Sequence, residues 1–299
     1  MKYVITGAAG NVSRPLAAKL LSSGHEVVVI GRSEEHLHAL TSKGATARIG
    51  SVDDVPFLTQ AFSGADAVYT MIPPQYSAGD LDSFRQVGAN YAQAIRAANV
   101  KYVVNLSSVG AHLVNGGGPV SGLYRVEEEL NKLTDTNVLH LRPGFFYVNF
   151  LANIGMIKHM NILGANYGHS NSKMILAHPE DIAEAAAEAL LNLSFRGHSV
   201  LYVVSDERTT GEITRELGKA IGKPDLPWVE FTDEQAYQGM KEAGMPEGMA
   251  AKYAEMGKAM RTGIMWEDYF RQTPKKHGRI KLEEFAKGFA DVYQAKVNS

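Results

Sequence analysis

The sequence predicts an α/β protein: a doubly wound parallel sheet with a smaller, mainly helical C-terminal lobe. Six short apolar stretches rich in β-branched residues alternate with helical patterns over the first 145 residues. Strands that are apolar throughout belong to parallel sheets that are buried on both faces. Regular strand–helix alternation implies right-handed crossovers, so that helices cover both faces of the sheet. After Gly144 this alternation ends, which indicates a second region.

The predicted elements follow from these patterns in chain order. The strands are Lys2–Thr6, Glu26–Ile30, Thr46–Ile49, Ala67–Met71, Tyr102–Leu106 and Val138–Leu141. The helices include Pro15–Ser23, Val55–Phe62, Phe84–Ala98 and Tyr124–Lys132. Farther on, Pro179 begins a helix with acidic residues in its first turn. We expect residues 1–144 to form the sheet domain and residues 145–299 to form a substrate-covering lobe, with residues 176–204 returning to the sheet.

Composition excludes several classes of protein. The 30 Lys and Arg against 32 Asp and Glu give a net charge of −2, which predicts no direct contact with nucleic acid or an anionic membrane. The lack of cysteine excludes disulfides and thiol catalysis and favours the cytoplasm. No signal peptide is visible, and no apolar run approaches the roughly 20 residues that span a bilayer. The ten histidines show no ligand spacing, so no metal is predicted.

The first strand runs directly into a glycine-containing turn and a helix. The turn reads Thr6-Gly7-Ala8-Ala9-Gly10-Asn11-Val12-Ser13. A strand, a glycine turn and a helix start in this order point free N–H groups and the positive helix end at one place, where a dinucleotide diphosphate binds. Gly7 permits the tight turn and Gly10 permits close approach of the phosphate. Ser13 replaces the third glycine of the pattern but is small enough for helix–strand packing.

The residue after the second strand indicates which dinucleotide is bound. An NAD site carries Asp or Glu there to accept hydrogen bonds from the ribose hydroxyls, whereas this chain has Gly31 and Arg32. A guanidinium suits the 2′-phosphate, so the sequence predicts a preference for NADP(H), with NAD(H) possible. The alternative is that Arg32 is a solvated loop charge, and Glu34 and Glu35 nearby weaken the positive field.

The ends of the next three strands complete the predicted cofactor site. Ser51 and Val52 follow the third strand, where such folds contact the adenine. Pro73 and Pro74 follow the fourth strand and form a stiff turn without N–H donors. Ser107 closes the fifth strand, where we expect the nicotinamide.

The acid–base pair of the short-chain dehydrogenases is missing. Their chemistry needs a Tyr with a Lys four residues later that lowers the pKa of the phenol. Tyr124 is in a plausible place, but Glu128 stands at the Lys position and should raise that pKa. Lys132 is roughly 12 Å farther along the helix axis, which makes it a poor substitute. Tyr124 and Ser107 remain weak candidates for catalysis, with roles in orienting the substrate or the carboxamide.

Hydride transfer without that pair requires an acceptor that is already electron-poor, such as a quinone or an azo compound. Such an acceptor mainly has to stack on the nicotinamide, and water can supply protons. An apolar, aromatic pocket would hold it. The aromatic residues predicted to line this pocket are Tyr76, Phe145, Phe146 and Tyr147.

Five motifs taken together resemble one family. They are the glycine-containing turn at residues 6–12, the pair Gly31-Arg32, the run Asn105-Leu106-Ser107-Ser108-Val109-Gly110-Ala111, the run Leu141-Arg142-Pro143-Gly144-Phe145-Phe146, and the run Pro179-Glu180-Asp181-Ile182-Ala183. Over nearly its whole length the chain is similar to the NmrA-like branch of the atypical short-chain dehydrogenases/reductases, and within it to bacterial NAD(P)H:quinone oxidoreductases and azoreductase-like proteins. The resemblance implies a Rossmann domain for NADP(H), a small C-terminal lobe and an active cleft between them.

The resemblance also implies roles for residues and leaves several functions open. Gly7, Gly10, Asn11 and Val12 would line the diphosphate, Arg32 would meet the 2′-phosphate, and Pro73, Pro74 and Ser107 would lie beside the ribose and nicotinamide. The favoured function is an NADPH-dependent reductase of a small aromatic or quinone-like substrate, acting as a monomer or homodimer. The alternatives are an inactive NADP(H) sensor that binds a protein partner and, less favoured, a sugar-nucleotide epimerase or another specific reductase of the wider superfamily.

Overall fold

The computed structural model describes residues 1–73, 80–272 and 275–295. Its strands are β1 (Lys2–Ile5), β2 (Glu26–Gly31), β3 (Thr46–Ile49), β4 (Ala67–Thr70), β5 (Tyr102–Leu106), β6 (Asn137–Pro143), β7 (Phe145–Phe146), β8 (Leu163–Ala165), β9 (Lys173–Ala177), β10 (His198–Val204), β11 (Asp206–Thr209), β12 (Trp228–Glu230) and β13 (Lys275–His277). Its α-helices are α1 (Ser13–Ser22), α2 (Glu34–Thr41), α3 (Val55–Phe62), α4 (Leu81–Ala97), α5 (Val120–Leu130), α6 (Ile154–Met160), α7 (Pro179–Asn192), α8 (Thr210–Ala220), α9 (Asp233–Glu242), α10 (Glu247–Thr262), α11 (Glu267–Arg271) and α12 (Leu282–Ala295).

Eight of these strands form one parallel sheet. Their order is β13-β10-β6-β5-β4-β1-β2-β3, and every neighbouring pair is parallel. The chain therefore leaves β1 in both directions across the sheet, which is the doubly wound arrangement and confirms the predicted fold class. The carboxyl ends of β1, β2, β4, β5 and β6 meet at one edge of the sheet, and that edge is where ligands bind in such folds.

Apolar side chains cover both faces of this sheet. On one face, α1 packs on β1 and β2 while α7 packs on β5, β6 and β10, with Leu16, Leu20 and Ile182 fully buried. On the other face, α3, α4 and α5 bury a second cluster that includes Phe62 and Tyr91. Burial on both faces explains why these strands read as continuous apolar runs in the sequence.

The C-terminal half both extends the sheet and builds a lobe above its edge. The strand β10 pairs with β6 and with β13, so residues 198–204 and 275–277 belong to the large sheet. The other late strands form two small sheets, in the orders β11-β9-β7 and β12-β8. A third apolar cluster, which includes Met260, Trp266 and Phe289, fills the lobe. The domain boundary at residue 144 stays a prediction.

Several predicted boundaries differ from the structure by a few residues, and two of them differ for clear local reasons. The strand β4 ends at Thr70, one residue early, because the Met71 N–H donates to the Thr6 hydroxyl instead of a strand neighbour (3.1 Å). The helix α5 begins at Val120, four residues before the predicted start, with Pro119 at its N-cap. Proline is tolerated at a helix start because the first N–H groups have no intrahelical acceptor.

The helix start at Pro179 fastens the last part of the chain. Asp181 on α7 accepts hydrogen bonds from the Ser205 hydroxyl (2.6 Å) and from the backbone N–H groups of Arg279 (3.0 Å) and Ile280 (3.1 Å). A side chain on Gly278 would meet the Asp181 carboxylate at 2.1 Å. The Pro-Glu-Asp-Ile-Ala motif therefore holds the segment between β13 and α12 against the sheet domain.

A buried row of polar side chains crosses three neighbouring strands. The Thr70 hydroxyl donates to Asn105 Oδ1 (3.0 Å), and Asn105 Nδ2 donates to His140 Nδ1 (3.1 Å). Because Nδ1 is the acceptor, His140 carries its proton on Nε2, which lies 3.0 Å from Asn131 Oδ1. Burial, which outweighs the attraction of Glu127, lowers the pKa of His140 below its ordinary value.

We expect this histidine to make the fold sensitive to acid. The unfolded chain protonates His140 near its ordinary pKa of about 6.5, whereas the folded state resists protonation. Stability should therefore decrease as the pH falls below about 6.5, by up to about 1.4 kcal/mol per pH unit for this group. Urea unfolding at pH 7.5, 6.5 and 5.5 measures the slope, which should be shallower in His140→Gln than in wild type. The exposed His36→Gln is the control, and equal slopes in all three proteins would contradict the assignment.

Candidate functional site

The turn after β1 has the shape that a dinucleotide diphosphate requires. Gly7 has a φ of +58°, which is in the left-handed region, and a Cβ at this position would lie 2.3 Å from the Met71 sulfur. The Gly10 N–H donates to the Gly7 carbonyl (2.9 Å), and the Ala8 N–H donates to the Ile30 carbonyl at the end of β2 (3.1 Å). Only glycine fits position 7, because any side chain would strain the backbone and strike Met71.

The helix that follows this turn leaves its positive end free for an anion. Among the described residues no side chain caps the start of α1, and its first turn holds no acidic residue. The first N–H groups of a helix lack intrahelical acceptors and carry a partial positive charge, so a phosphate satisfies both. Val12 and Ser13 are buried under the turn, while Asn11 is exposed beside it. These residues fit a dinucleotide diphosphate.

Thr6 supports the turn from behind. Its side chain is buried, its hydroxyl accepts from the Met71 N–H, and the Tyr91 hydroxyl lies 3.3 Å from Thr6 Oγ1 and 2.8 Å from the Met71 carbonyl oxygen. The structure thus gives the Thr6 side chain partners inside the protein, and any contribution to cofactor binding comes from holding the turn and the end of β4 together.

The residues predicted for the adenosine end lie at the ends of β2 and β3. Arg32 is exposed, and within the described part of the chain its guanidinium has no ion pair. The Ser51 hydroxyl donates to Asp53 Oδ2 (3.0 Å), which fixes the short turn after β3. Val52 is buried, and its carbonyl accepts from Asn90 Nδ2 (3.2 Å). Pro73 is half-buried after the end of β4, whereas the predicted Pro74 and Tyr76 lie outside the described residues.

Ser107 at the end of β5 faces inward. It is only 4% exposed, and its hydroxyl donates to Glu127 Oε1 on α5 at 2.5 Å. Its backbone N–H donates to the Leu141 carbonyl (2.8 Å). The neighbouring Ser108 is half-buried and donates to the Val109 carbonyl. Both serines therefore have partners within the protein at the place predicted for the nicotinamide.

A buried charge cluster that the sequence did not reveal lies behind Ser107. Arg142 at the end of β6 donates to both carboxylate oxygens of Glu127 (Nε to Oε1 3.0 Å, Nη2 to Oε2 2.6 Å) and to Asp268 Oδ2 (2.8 Å). The Tyr202 hydroxyl also donates to Asp268. Burial alone would lower the pKa of Arg142, but its hydrogen bonds to Glu127 raise it above the ordinary value, so the guanidinium stays charged.

Tyr124 has the surroundings that its neighbours in the sequence predict. Its hydroxyl donates to Glu128 Oε1 (3.3 Å), and burial together with this carboxylate raises the pKa of the phenol above its ordinary value. Lys132 pairs with Glu129 (2.6 Å) and not with Tyr124. The predicted effect of Glu128 on the phenol is therefore confirmed. This arrangement therefore does not lower the pKa of the phenol, as the Lys of a Tyr–Lys pair would.

The aromatic residues after β6 differ in burial. Phe145 and Phe146 form β7 and are half-buried, and Phe145 packs against Phe150 with ring centroids 5.3 Å apart. Tyr147 is fully buried, stacks on Phe285 and donates its hydroxyl to Asp206 (2.8 Å). Because its ring and hydroxyl are both occupied, Tyr147 lies in the core of the lobe and not on the wall of an open pocket, which corrects its predicted place.

The lobe packs closely on the loop that follows β5. A Cβ on Gly110 would lie 2.0 Å from the Met265 sulfur, and a Cβ on Gly118 would lie 2.1 Å from the Lys252 carbonyl oxygen on α10. His112 in the same loop lies 3.1 Å, through Nε2, from the Ile264 carbonyl oxygen. Together with the Arg142–Asp268 pair, these contacts seat the lobe over the carboxyl ends of β5 and β6.

The described residues form neither a membrane-spanning helix nor a metal-binding group. Across residues 1–73, 80–272 and 275–295, we find no helix both long and apolar enough to traverse a bilayer. Over the same ranges, no group of three or more His, Cys, Asp or Glu side chains could hold a metal ion.

Comparison with known proteins shows that the part of the chain with this turn resembles dinucleotide-binding domains. Residues 7–146 match the family described as NAD(P)H-binding. The chain is 24% identical over 262 residues to a (4-alkanoyl-5-oxo-2,5-dihydrofuran-3-yl)methyl phosphate reductase from Streptomyces griseus, covering 87% of both chains. It is also 24% identical over 303 residues to an NAD(P)H azoreductase from Xenophilus azovorans, covering 98% of this chain and 99% of the relative.

Solved structures share the whole fold. An NADPH-dependent quinone oxidoreductase from Escherichia coli, complexed with NADPH, superimposes with a TM-score of 0.80 at 22% identity, covering 96% of this chain and 99% of that one. NmrA, a negative transcriptional regulator in complex with NADP, superimposes with a TM-score of 0.79 at 13% identity, covering 99% and 97%. The resemblance to NmrA-like proteins is therefore confirmed at the level of the fold.

Proposed function

We propose that this chain, an NAD(P)H-dependent oxidoreductase with the NmrA-like fold, passes a hydride from NADPH to a quinone or a similar electron-poor aromatic acceptor. The turn at Gly7 supports binding of the phosphorylated dinucleotide, as do the start of α1 and Arg32, which have no capping side chain and no ion pair within the described residues. The azoreductase and quinone oxidoreductase relatives support an acceptor of the aromatic class. Phe145 and Phe146 are half-buried at the end of β6, where such a ring would stack over the nicotinamide.

The observation that carries the choice of acceptor is the state of Tyr124. A phenol that donates to Glu128, with the nearest helix lysine paired to Glu129, is a poor proton donor for an ordinary ketone. Quinones need no such donor during hydride transfer. The cofactor, when bound, supplies one hydride, the quinone gains its two electrons, and one proton from water completes the hydroquinone, so that the products are hydroquinone and NADP⁺.

Loss of NADPH absorbance with menadione, at saturating protein and against a protein-free control, tests the proposal. We expect turnover that saturates in both NADPH and quinone, together with little reduction of simple ketones. Tyr124→Phe should keep most of this activity, since the phenol is not a proton donor in the proposed reaction. A panel of quinones and azo dyes that is reduced no faster than in buffer would overturn the reductase proposal.

The alternative, an NADP(H) sensor without catalysis, finds support in the shared fold with NmrA at 13% identity. A sensor would bind the dinucleotide, change conformation and turn over no acceptor. The same assay separates the two functions, because saturable turnover belongs to the reductase alone.

Arg32 gives a test of the cofactor preference. We expect Arg32→Ala to weaken NADPH binding by about tenfold or more and NADH binding little, because a charge-assisted contact to the 2′-phosphate is lost. Titration of each cofactor, followed by its fluorescence, measures both constants. Arg48→Ala is the matched control, since it removes the same charge from the neighbouring strand β3. Equal losses for both cofactors in Arg32→Ala would remove the reason for the preference.

A further inference from the structure

Three charged side chains are buried together where β5 and β6 end. We call Glu127, Arg142 and Asp268 the buried triad. Their side chains are only 6%, 10% and 20% exposed. They come from three separate parts of the chain: the helix α5, the strand β6 and the lobe helix α11. Arg142 contacts both carboxylates and is the centre of the cluster.

The buried triad carries one unbalanced negative charge. Two carboxylates and one guanidinium have formal charges that add to −1. The remaining hydrogen bonds come from neutral donors: the Ser107 hydroxyl donates to Glu127, and the Tyr202 hydroxyl and the Gln272 side-chain amide donate to Asp268. His112 lies close enough to interact with Asp268 and Arg142, but burial lowers its pKa, so it adds no positive charge at neutral pH. A buried net charge is costly, because low dielectric strengthens its field and removes its hydration.

The position of this negative charge indicates that it acts on the nicotinamide ring. Ser107, which donates to Glu127, stands at the carboxyl end of β5, and the nicotinamide end of a dinucleotide lies at this edge in such folds. The nicotinamide ring is neutral in NADPH and positively charged in NADP⁺. A fixed negative charge behind the ring therefore distinguishes the two forms by charge alone.

We propose that the buried triad makes this site bind the positively charged, oxidised nicotinamide more tightly than the neutral, reduced one. The inference rests on the proposed function only in placing NADP(H) on the edge formed by β5 and β6. Glu127 and Asp268 then act on the nicotinamide ring through their negative charge. They stabilise the positive charge that the ring acquires as the hydride leaves, without touching the acceptor.

The decisive measurement is the ratio of the NADP⁺ and NADPH dissociation constants in wild type and in Asp268→Asn. Asparagine keeps the shape and can still accept from Arg142 and Tyr202, but it brings the triad to neutrality. We expect the preference for NADP⁺ over NADPH to fall by about tenfold, which is the size expected for one unit charge acting through protein. Titration calorimetry gives both constants without any turnover.

Two further variants separate this effect from general damage. Glu127→Gln neutralises the triad from its other side and should lower the same ratio, although Arg142 then keeps a single carboxylate. Glu184→Gln removes one carboxylate outside the triad, on α7, where it pairs with Lys19 in the last turn of α1, and should leave the ratio unchanged. Thermal unfolding of each variant identifies losses that come from misfolding.

The outcomes distinguish this inference from the proposed function. Binding of both forms with an unchanged ratio in Asp268→Asn and Glu127→Gln overturns the role of the triad, even if quinone turnover is found. A lowered ratio supports the triad, even if no acceptor in the panel is reduced. Failure of wild type to bind either dinucleotide overturns both.

Discussion

Replacing Arg142 with leucine should destabilise the folded protein by about 3–5 kcal/mol, the largest effect expected from a single substitution in this site. The reason is that the substitution leaves Glu127 and Asp268 buried without their cation. An unpaired buried carboxylate loses its hydration and gains nothing in return, so removing one partner costs far more than the pair contributes. Urea unfolding at pH 7.5 measures the change.

The neighbouring helix face offers a matched control for this experiment. Arg85 also pairs with two glutamates of α5, Glu128 and Glu129, but its side chain is 44% exposed. Arg85→Leu should therefore cost less than about 1 kcal/mol. Arg142→Lys should fall between the two, since a lysine keeps the charge but loses the paired geometry. Similar losses in Arg142→Leu and Arg85→Leu would show that the burial of the triad has no energetic consequence.

Gly7→Ala should weaken NADPH binding by at least about tenfold, which corresponds to about 1.4 kcal/mol. Two causes act together. An alanine at φ +58° strains the backbone by about 1–2 kcal/mol, and its Cβ would lie 2.3 Å from the Met71 sulfur. The turn must shift to relieve this contact, and the N–H groups at the start of α1 then point away from the diphosphate. Fluorescence titration with NADPH and a thermal unfolding curve measure the two consequences.

Gly24→Ala separates the strain from the contact. Gly24 has a φ of +80°, yet a Cβ there meets nothing within 4 Å, so it carries a similar backbone penalty at the far end of α1. We expect Gly24→Ala to lose stability but to keep its affinity for NADPH. Adding Met71→Ala to Gly7→Ala should restore part of the affinity. Normal NADPH binding by Gly7→Ala would remove this turn from the proposed cofactor site.

The fold was predictable because the sequence patterns that specify it extend over only a few neighbouring residues. Apolar runs such as Glu26–Ile30 and the turn at Gly7 depend on neighbours within a few residues, and the structure places both as expected. The relation between Tyr124 and Glu128 was predictable for the same reason, since four residues on a helix form one face. The cofactor residues occupy the expected strand ends, but their contacts with NADP(H) stay predictions.

The buried triad could not be predicted because its members are far apart in the chain. Arg142 stood in a motif that the sequence made visible, but Asp268 is 126 residues away and no spacing rule joins them. Tyr147 was misplaced for a similar reason. An aromatic run indicates apolar surroundings, but the partners that hold Tyr147 in the core, Asp206 and Phe285, come from later parts of the chain.

The order of strands in the sheet has a consequence for biosynthesis. The first 143 residues supply six adjacent strands, whereas β10, which pairs with the open side of β6, and β13, which pairs with β10, emerge only at residues 198–204 and 275–277. Until β10 is made, β6 has unpaired backbone N–H and C=O groups along one side, and such an edge can pair with strands of other proteins. A nascent chain that stalls or is cut before residue 275 would expose β10 in the same way, so aggregation should depend on whether β13 has been made.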